Sequence, residues 1–145
     1  SSLRAGTPNL PAIVGFAAAL TKAEAMRRDE HKRLVALRQA LWDQLKDLPG
    51  ILLNGHPTKR LANVLNISFA DRDGEELMLK LDAQGFAVAT GAACAESSRA
   101  PSHVLLGIGR SAEEAQGSLR ISLGRDTTTA DIRALALALR AIIVA

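Results

Sequence analysis

The chain has 145 residues, a length that fits one domain of ordinary size. Apolar residues make up 48% and charged residues 23%, which excludes a disordered chain, and with no Tyr, one Trp and three Phe there are few rings to stack on nucleic-acid bases. The net charge is +3, from 18 basic and 15 acidic residues, and the basic residues are dispersed. Even "MRRDEHKR" at 26–33 contains two acids, so it reads as a solvated helix face and not as a nucleic-acid patch.

Pro8 and Pro11 stand where a helix can begin, since proline suits a first turn. Apolar residues then run to Leu20, and Thr21-x-x-Glu24 has the form of a capping box that restarts or kinks the helix. "AIVGFAAAL" at 12–20 is too short for a membrane span and lacks the basic leader of a signal peptide. Leu34, Leu37, Leu41, Leu45 and Leu48 recur at spacings of three and four, which predicts one buried stripe, stopped by Pro49-Gly50. "ILLNG" at 51–55 predicts a short strand ending in a turn. "NVLNISFA" at 63–70 predicts a strand with Val64, Asn66 and Ser68 on one face and Leu65, Ile67 and Phe69 on the other.

Asp73-x-x-Glu76 predicts a capped helix through about Ala83, stopped by Gly85, and "FAVAT" at 86–90 a further strand. "SHVLLGIG" at 102–109 and a segment capped by Ser111-x-x-Glu114 predict two short helices. "SLRISLG" at 118–124 predicts a strand, and Thr128-x-x-Asp131 opens a last helix with Ile132, Leu135, Leu139 and Ile142 on one side. These elements imply an α/β (α+β) fold: a small, mostly antiparallel sheet with helices packed on one face.

The candidate chemistry centres on the single cysteine, Cys94, within "ATGAACAESSRAPSHVL" at 89–105. One cysteine excludes an internal disulfide and fits a reducing compartment, hence a cytoplasmic protein. A lone cysteine is often a small buried hydrophobe. Here it follows a predicted strand end among Gly and Ala and precedes Glu96, Ser97, Ser98 and Arg99, a run that buries little. That context favours an accessible nucleophilic thiolate. His31, His56 and His103 do not share zinc-ligand spacing with it, and His31 and His56 read as surface residues. Arg120, inside an alternating strand, is either a structural ion-pair partner or a clamp that grips a carboxylate through paired hydrogen bonds. Arg125 reads as structural. Gly6-Thr7 before a helix start serves either plain capping or a phosphate. Asn54-Gly55 reads as a turn, and Asn66 as satisfying local backbone groups.

The blocks "LRAGTPN", "LNG", "NVLNISF", "GEELMLKLD", "TGAACAESSRAPSHVL" and "GSLRISLGRDTT" stand in the order found in cysteine desulfurases, pyridoxal-phosphate enzymes of the class-V aminotransferase group. The resemblance covers essentially the whole chain. It implies removal of sulfur from L-cysteine to give L-alanine and a persulfide on Cys94, passed on for iron–sulfur cluster assembly or tRNA thiolation. It implies that Arg120 holds the substrate carboxylate and that Thr7 contacts the phosphate of pyridoxal 5'-phosphate in the partner subunit of a homodimer. It further implies sulfur-acceptor or iron–sulfur scaffold partners, with Cys94 able to help ligate a nascent 2Fe-2S cluster; the dispersed charge and the lack of a long apolar span imply no direct nucleic-acid or membrane partner. The chain shows Thr90-Gly91-Ala92-Ala93-Cys94 where the family usually shows Ser-Gly-Ser-Ala-Cys, and no Ser-x-His-Lys motif supplies the cofactor lysine. Residues 1–145 are thus expected to be the C-terminal small domain with an N-terminal interdomain helix over about 8–48, without the lysine-bearing large domain. Such a fragment alone is expected to be inactive. A selenocysteine lyase, a non-enzymatic persulfide carrier or interaction module, and a structural α/β module with an inert thiol stand as alternatives.

Overall fold

A computed structural model of the chain describes residues 6–91 and 100–144. Its first element, α1 (Leu10–Leu45), is one continuous 36-residue helix, about 54 Å long at 1.5 Å per residue. Asn9 caps it by accepting from the Ala12 N–H at 3.1 Å, and Pro11 sits in the first turn. The break expected at Thr21 does not occur. The Thr21 hydroxyl donates back to the Ala17 carbonyl at 3.0 Å, one turn earlier, and Glu24 pairs with Arg27, so neither is available for capping.

Three antiparallel strands form one sheet in the order β1 (Ile51–Leu53), β2 (Val64–Phe69), β3 (Ser118–Ser122). In β2, Leu65, Ile67 and Phe69 are buried with Leu119 and Ile121 of β3 against the C-terminal half of α1, α2 (Gly74–Asp82) and α5 (Thr129–Val144). Leu37, Leu41, Leu45 and Leu48 supply the α1 stripe, and Ile132 and Leu139 supply that of α5. Each such side chain contributes about 1.5–3 kcal/mol on burial, which sets the register of the strands. The opposite face of the sheet carries Asn66 and Ser68 of β2 beside their partners Arg120 and Ser118 of β3.

The remaining elements follow their local signals closely. Asp73 accepts from the Glu75 and Glu76 N–H groups and so starts α2, but Glu76 pairs with Lys80 instead of closing a reciprocal box. The short helices α3 (His103–Gly107) and α4 (Ala112–Gln116) follow, the second with a complete Ser111–Glu114 capping box. Thr128 and Asp131 cap α5 reciprocally. The strand expected over 86–90 shrinks to a single bridge between Ala89 and Arg120; Phe86 and Val88 pack on the core and no further residue pairs.

Two glycines let the chain close tightly where α2, α4 and the sheet meet. A Cβ on Gly74 would lie 2.6 Å from the Ser118 carbonyl, and one on Gly117 would collide with the Phe69 carbonyl. Arg33 ties α1 to the turn before α5 through the carbonyls of Gly124, Arg125 and Thr127, and Arg140 ties α5 back to Asp47 and the Gln44 carbonyl.

Residues 10–29 of α1 are all exposed, so its N-terminal half projects from the rest of the described chain. Leu10, Ile13, Val14, Phe16 and Leu20 are among them, Phe16 with 70% of its surface open. Among the described residues no helix is long and apolar enough to cross a membrane.

Candidate functional site

Among the described residues, Arg120 is the expected site residue that the sheet positions. Its backbone pairs on one side with β2, where Asn66 is its register partner, and on the other with Ala89, through N–H···O bonds of 2.6 and 3.1 Å. Alternation along β3 sends Leu119 and Ile121 into the core and leaves Arg120 on the polar face, half-buried. Its Nη1 donates to the Gly91 carbonyl at 3.3 Å. It pairs with no acid among the described residues, and its other donors have no hydrogen-bond partner there. A guanidinium held by its strand with most of its fork open is suited to a planar anion such as a carboxylate.

Beside it lies a polar network that sequence reasoning missed. The Asn54 amide is buried, with 4% of the residue exposed. Its Nδ2 donates to Asn66 Oδ1 at 2.7 Å and to Ser68 Oγ at 2.8 Å, while its Oδ1 accepts from Arg110 Nε at 2.7 Å. Arg110 also donates to the Leu53 carbonyl at 2.7 Å. Asn66 therefore binds a side chain, not the local backbone, and Asn54 is more than a turn residue. Polar side chains at alternate positions of β2 were the available signal; nothing local marked Arg110, which lies 56 residues from Asn54 in sequence. Arg60 supports the same turn through the carbonyls of His56 and Asn54, and the buried Arg38 holds Leu61. Burial first, then the nearby Arg38 charge, lowers the pKa of Arg60 from its ordinary value.

The other expected site residues are placed differently. Cys94 lies outside the described residues; in sequence it follows Gly91 by three positions. Thr7 is exposed, at the far end of the projecting half of α1, about 30 Å of helix from the point where α1 meets the rest of the described chain. The fold thus brings Arg120 to the start of the cysteine segment but does not bring Thr7 to either. His31, His56 and His103 are exposed, and His56 Nδ1 accepts from the Thr58 and Lys59 N–H groups. Arg125 donates to Met26 Sδ, a structural contact. Among the described residues no group of three metal-ligating side chains occurs.

All five lysines are exposed. Lys22 and Lys32 lie on α1, Lys46 just after it and Lys80 on α2, and Lys46 and Lys80 are ion-paired. Lys59 is exposed in the 54–62 turn. A shallow hollow of about 300 Å³ between α1 and α5 is lined by Asp43, Gln44, Asp47, Ala136, Leu137 and Arg140, with the Arg140–Asp47 pair bridging the two helices there.

The family model for aminotransferase class-V matches residues 1–135. The chain belongs to the class-V aminotransferase family. It is 46% identical over 129 residues to cysteine desulfurase IscS of Methanosarcina thermophila, covering 89% of this chain and 32% of the relative. It is 42% identical over 130 residues to cysteine desulfurase IscS 1 of Archaeoglobus fulgidus, covering 90% of this chain and 34% of the relative. Its fold matches the X-ray structure of a NifS-like protein from Rickettsia africae with a TM-score of 0.85 at 28% identity, over 99% of this chain and 37% of that one. This class-V aminotransferase chain therefore spans about a third of the length of the relatives it matches.

Proposed function

We propose that the chain is the C-terminal small domain of a cysteine desulfurase, with α1 as its interdomain helix, and that it supplies the sulfur-accepting thiol and the carboxylate clamp. The observation that carries this reading is Arg120: an open guanidinium on the polar sheet face, bonded to Gly91, three residues before Cys94. Three residues of chain reach at most about 11 Å, so a thiol tethered there can meet a substrate whose carboxylate lies on Arg120. The identity to the Methanosarcina cysteine desulfurase supports the same reading.

In this account Arg120 fixes L-cysteine by its carboxylate and the Cys94 thiolate takes its sulfur. An S–S bond to Cys94 forms, the substrate C–S bond breaks with its electron pair left on carbon, and a proton taken up there gives L-alanine. The persulfide is then passed to an acceptor protein in iron–sulfur cluster assembly or tRNA thiolation, or donated to a 2Fe-2S scaffold that Cys94 helps to ligate. Pyridoxal phosphate, the electron sink of the family's chemistry, is held by the lysine-bearing part of the intact protein. Thr7 reaches its phosphate in the partner subunit of a homodimer. The apolar N-terminal half of α1 supports this assignment, because Leu10, Ile13, Val14, Phe16 and Leu20 lack a covering surface among the described residues. The protein is placed in the cytoplasm, where thiols persist.

The test is alanine formation from L-cysteine by the intact parent protein with pyridoxal phosphate. Parent protein should turn over, Cys94→Ala should not, and the 145-residue chain alone should not. Turnover by the chain alone, or by Cys94→Ala at the parent rate, overturns the assignment.

A further inference from the structure

Arg110, Asn54 and Asn66 form a directed chain of hydrogen bonds whose sense is fixed by chemistry. A guanidinium has only donors, so the atom of Asn54 facing Arg110 Nε at 2.7 Å must be the carbonyl oxygen. Asn54 must then present its NH₂ group to Asn66 and Ser68, at 2.7 and 2.8 Å. A donor there requires an acceptor opposite, so the Asn66 side chain turns its oxygen to Asn54 and its NH₂ group away. Arg110 is anchored independently by the Leu53 carbonyl, so the whole sequence is held from one end.

The Asn66 NH₂ group has no hydrogen-bond partner among the described residues, and Asn66 is only half-buried. Asn66 is also the register partner of Arg120, on the same face of the sheet. Directly opposed residues on one face stand about 5 Å apart at Cβ. The polar face thus carries two unsatisfied donor groups side by side, one charged and one neutral, and no acid pairs with Arg120 among the described residues.

We propose that Asn66 is a second donor to the substrate carboxylate, oriented for that role by Asn54 and Arg110. This rests on the reading of Arg120 as the carboxylate clamp. Arg120 supplies the charge. Asn66, unable to rotate without breaking its bond to Asn54, supplies a fixed direction from the β2 side. Asn54 and Arg110 are positioning residues, because they act through Asn66.

The experiment is steady-state kinetics of the intact parent protein with pyridoxal phosphate, using Asn66→Ala, Asn66→Asp and, as reference, Arg120→Lys. Asn66→Asp keeps an oxygen for Asn54 while removing the donors. Losing one hydrogen bond to a charged group should raise KM for L-cysteine about tenfold in Asn66→Ala. The rise should be larger in Asn66→Asp, and kcat should stay within about threefold of the parent. Inhibition by the carboxylate-free analogue 2-aminoethanethiol should be unchanged in Asn66→Ala, a selectivity that a merely structural role would not produce. If Arg120→Lys raises KM and Asn66→Ala does not, or if Asn66→Ala weakens both ligands equally, the role of Asn66 is overturned while the clamp stands. If Arg120→Lys leaves KM unchanged, the clamp itself fails. Loss of folding in both Asn66 variants would also overturn the proposal, since the amide would then serve the sheet alone.

Discussion

Arg120 Nη1 and the Gly91 carbonyl oxygen lie 3.3 Å apart, joining the central guanidinium of the polar sheet face to the start of the cysteine segment. The bond is long and uses one of the five donors of the fork, so Arg120 is held mainly by its strand. A residue so placed should matter more to ligand binding than to folding. Arg120→Gln in the intact parent protein should raise KM for L-cysteine by about 10–100-fold, the worth of a charge-assisted bidentate contact. Its thermal midpoint should fall by no more than a few degrees. Kinetics and calorimetry on the same preparation check both.

Gly117 predicts a large effect on stability with no chemistry involved. A Cβ there meets the Phe69 and Arg72 carbonyls, backbone atoms that cannot swing aside. Gly117→Ala should cost about 2 kcal/mol or more, whereas Gly107→Ala, whose Cβ meets nothing within 4 Å, should change stability by less than about 1 kcal/mol. Urea unfolding of the two variants compares them directly.

The two halves of α1 should respond in opposite ways. Leu41 is fully buried, so Leu41→Ala should destabilise the purified chain by about 2–5 kcal/mol. Phe16 is 70% exposed, so Phe16→Ala should leave the chain's stability within about 0.5 kcal/mol. In the intact parent protein the proposed interdomain role of α1 predicts that the same Phe16 change lowers stability or impairs assembly. Calorimetry on both forms separates the outcomes; equal, near-zero effects in both would remove the interdomain role of α1.

Acid should weaken the helix ends before the core. Hydrogen bonds from Thr128, backbone first and then hydroxyl, hold the Asp131 carboxyl below its ordinary pKa of 3.8. The Arg140 side-chain bond does the same for Asp47. A carboxylate whose folded pKa is depressed stabilises fully above its unfolded value and loses that contribution as pH falls through the lower folded value. Asp131→Asn should therefore lower the thermal midpoint at pH 7, and the gap from the parent chain should close below about pH 3.8. Thermal scans across pH 2–7 would show it; a constant gap would contradict the assignment.

Local chemistry explains which parts of this fold were legible in the sequence. Ser111 with Glu114 and Thr128 with Asp131 are short-range devices, and each caps the helix its spacing implied. The leucine stripe from Leu37 to Leu48 and the alternation of β2 are periodic, and both bury the faces they imply. Thr21 misled because a hydroxyl in a helix can equally bond the preceding turn, as it does with Ala17. "FAVAT" has strand composition, but whether it pairs depends on how the chain reaches β3, and only Ala89 does. The Arg110–Asn54–Asn66 chain was invisible for the same reason: its members are distant in sequence and meet only once the sheet and α3–α4 are in place. Cys94 and Arg120 were marked by residue type and context, and the fold places Arg120 against Gly91 at the start of the cysteine segment.

The most direct test of the account is the fate of sulfur on Cys94. The intact parent protein with pyridoxal phosphate should be exposed briefly to L-cysteine, quenched with an alkylating agent and digested, and the Cys94 peptide weighed. This peptide should gain one sulfur atom as an alkylated persulfide, the gain should disappear in the absence of pyridoxal phosphate, and alanine should appear in step with it. Alanine formed at the full rate with no additional sulfur on Cys94 would contradict the account.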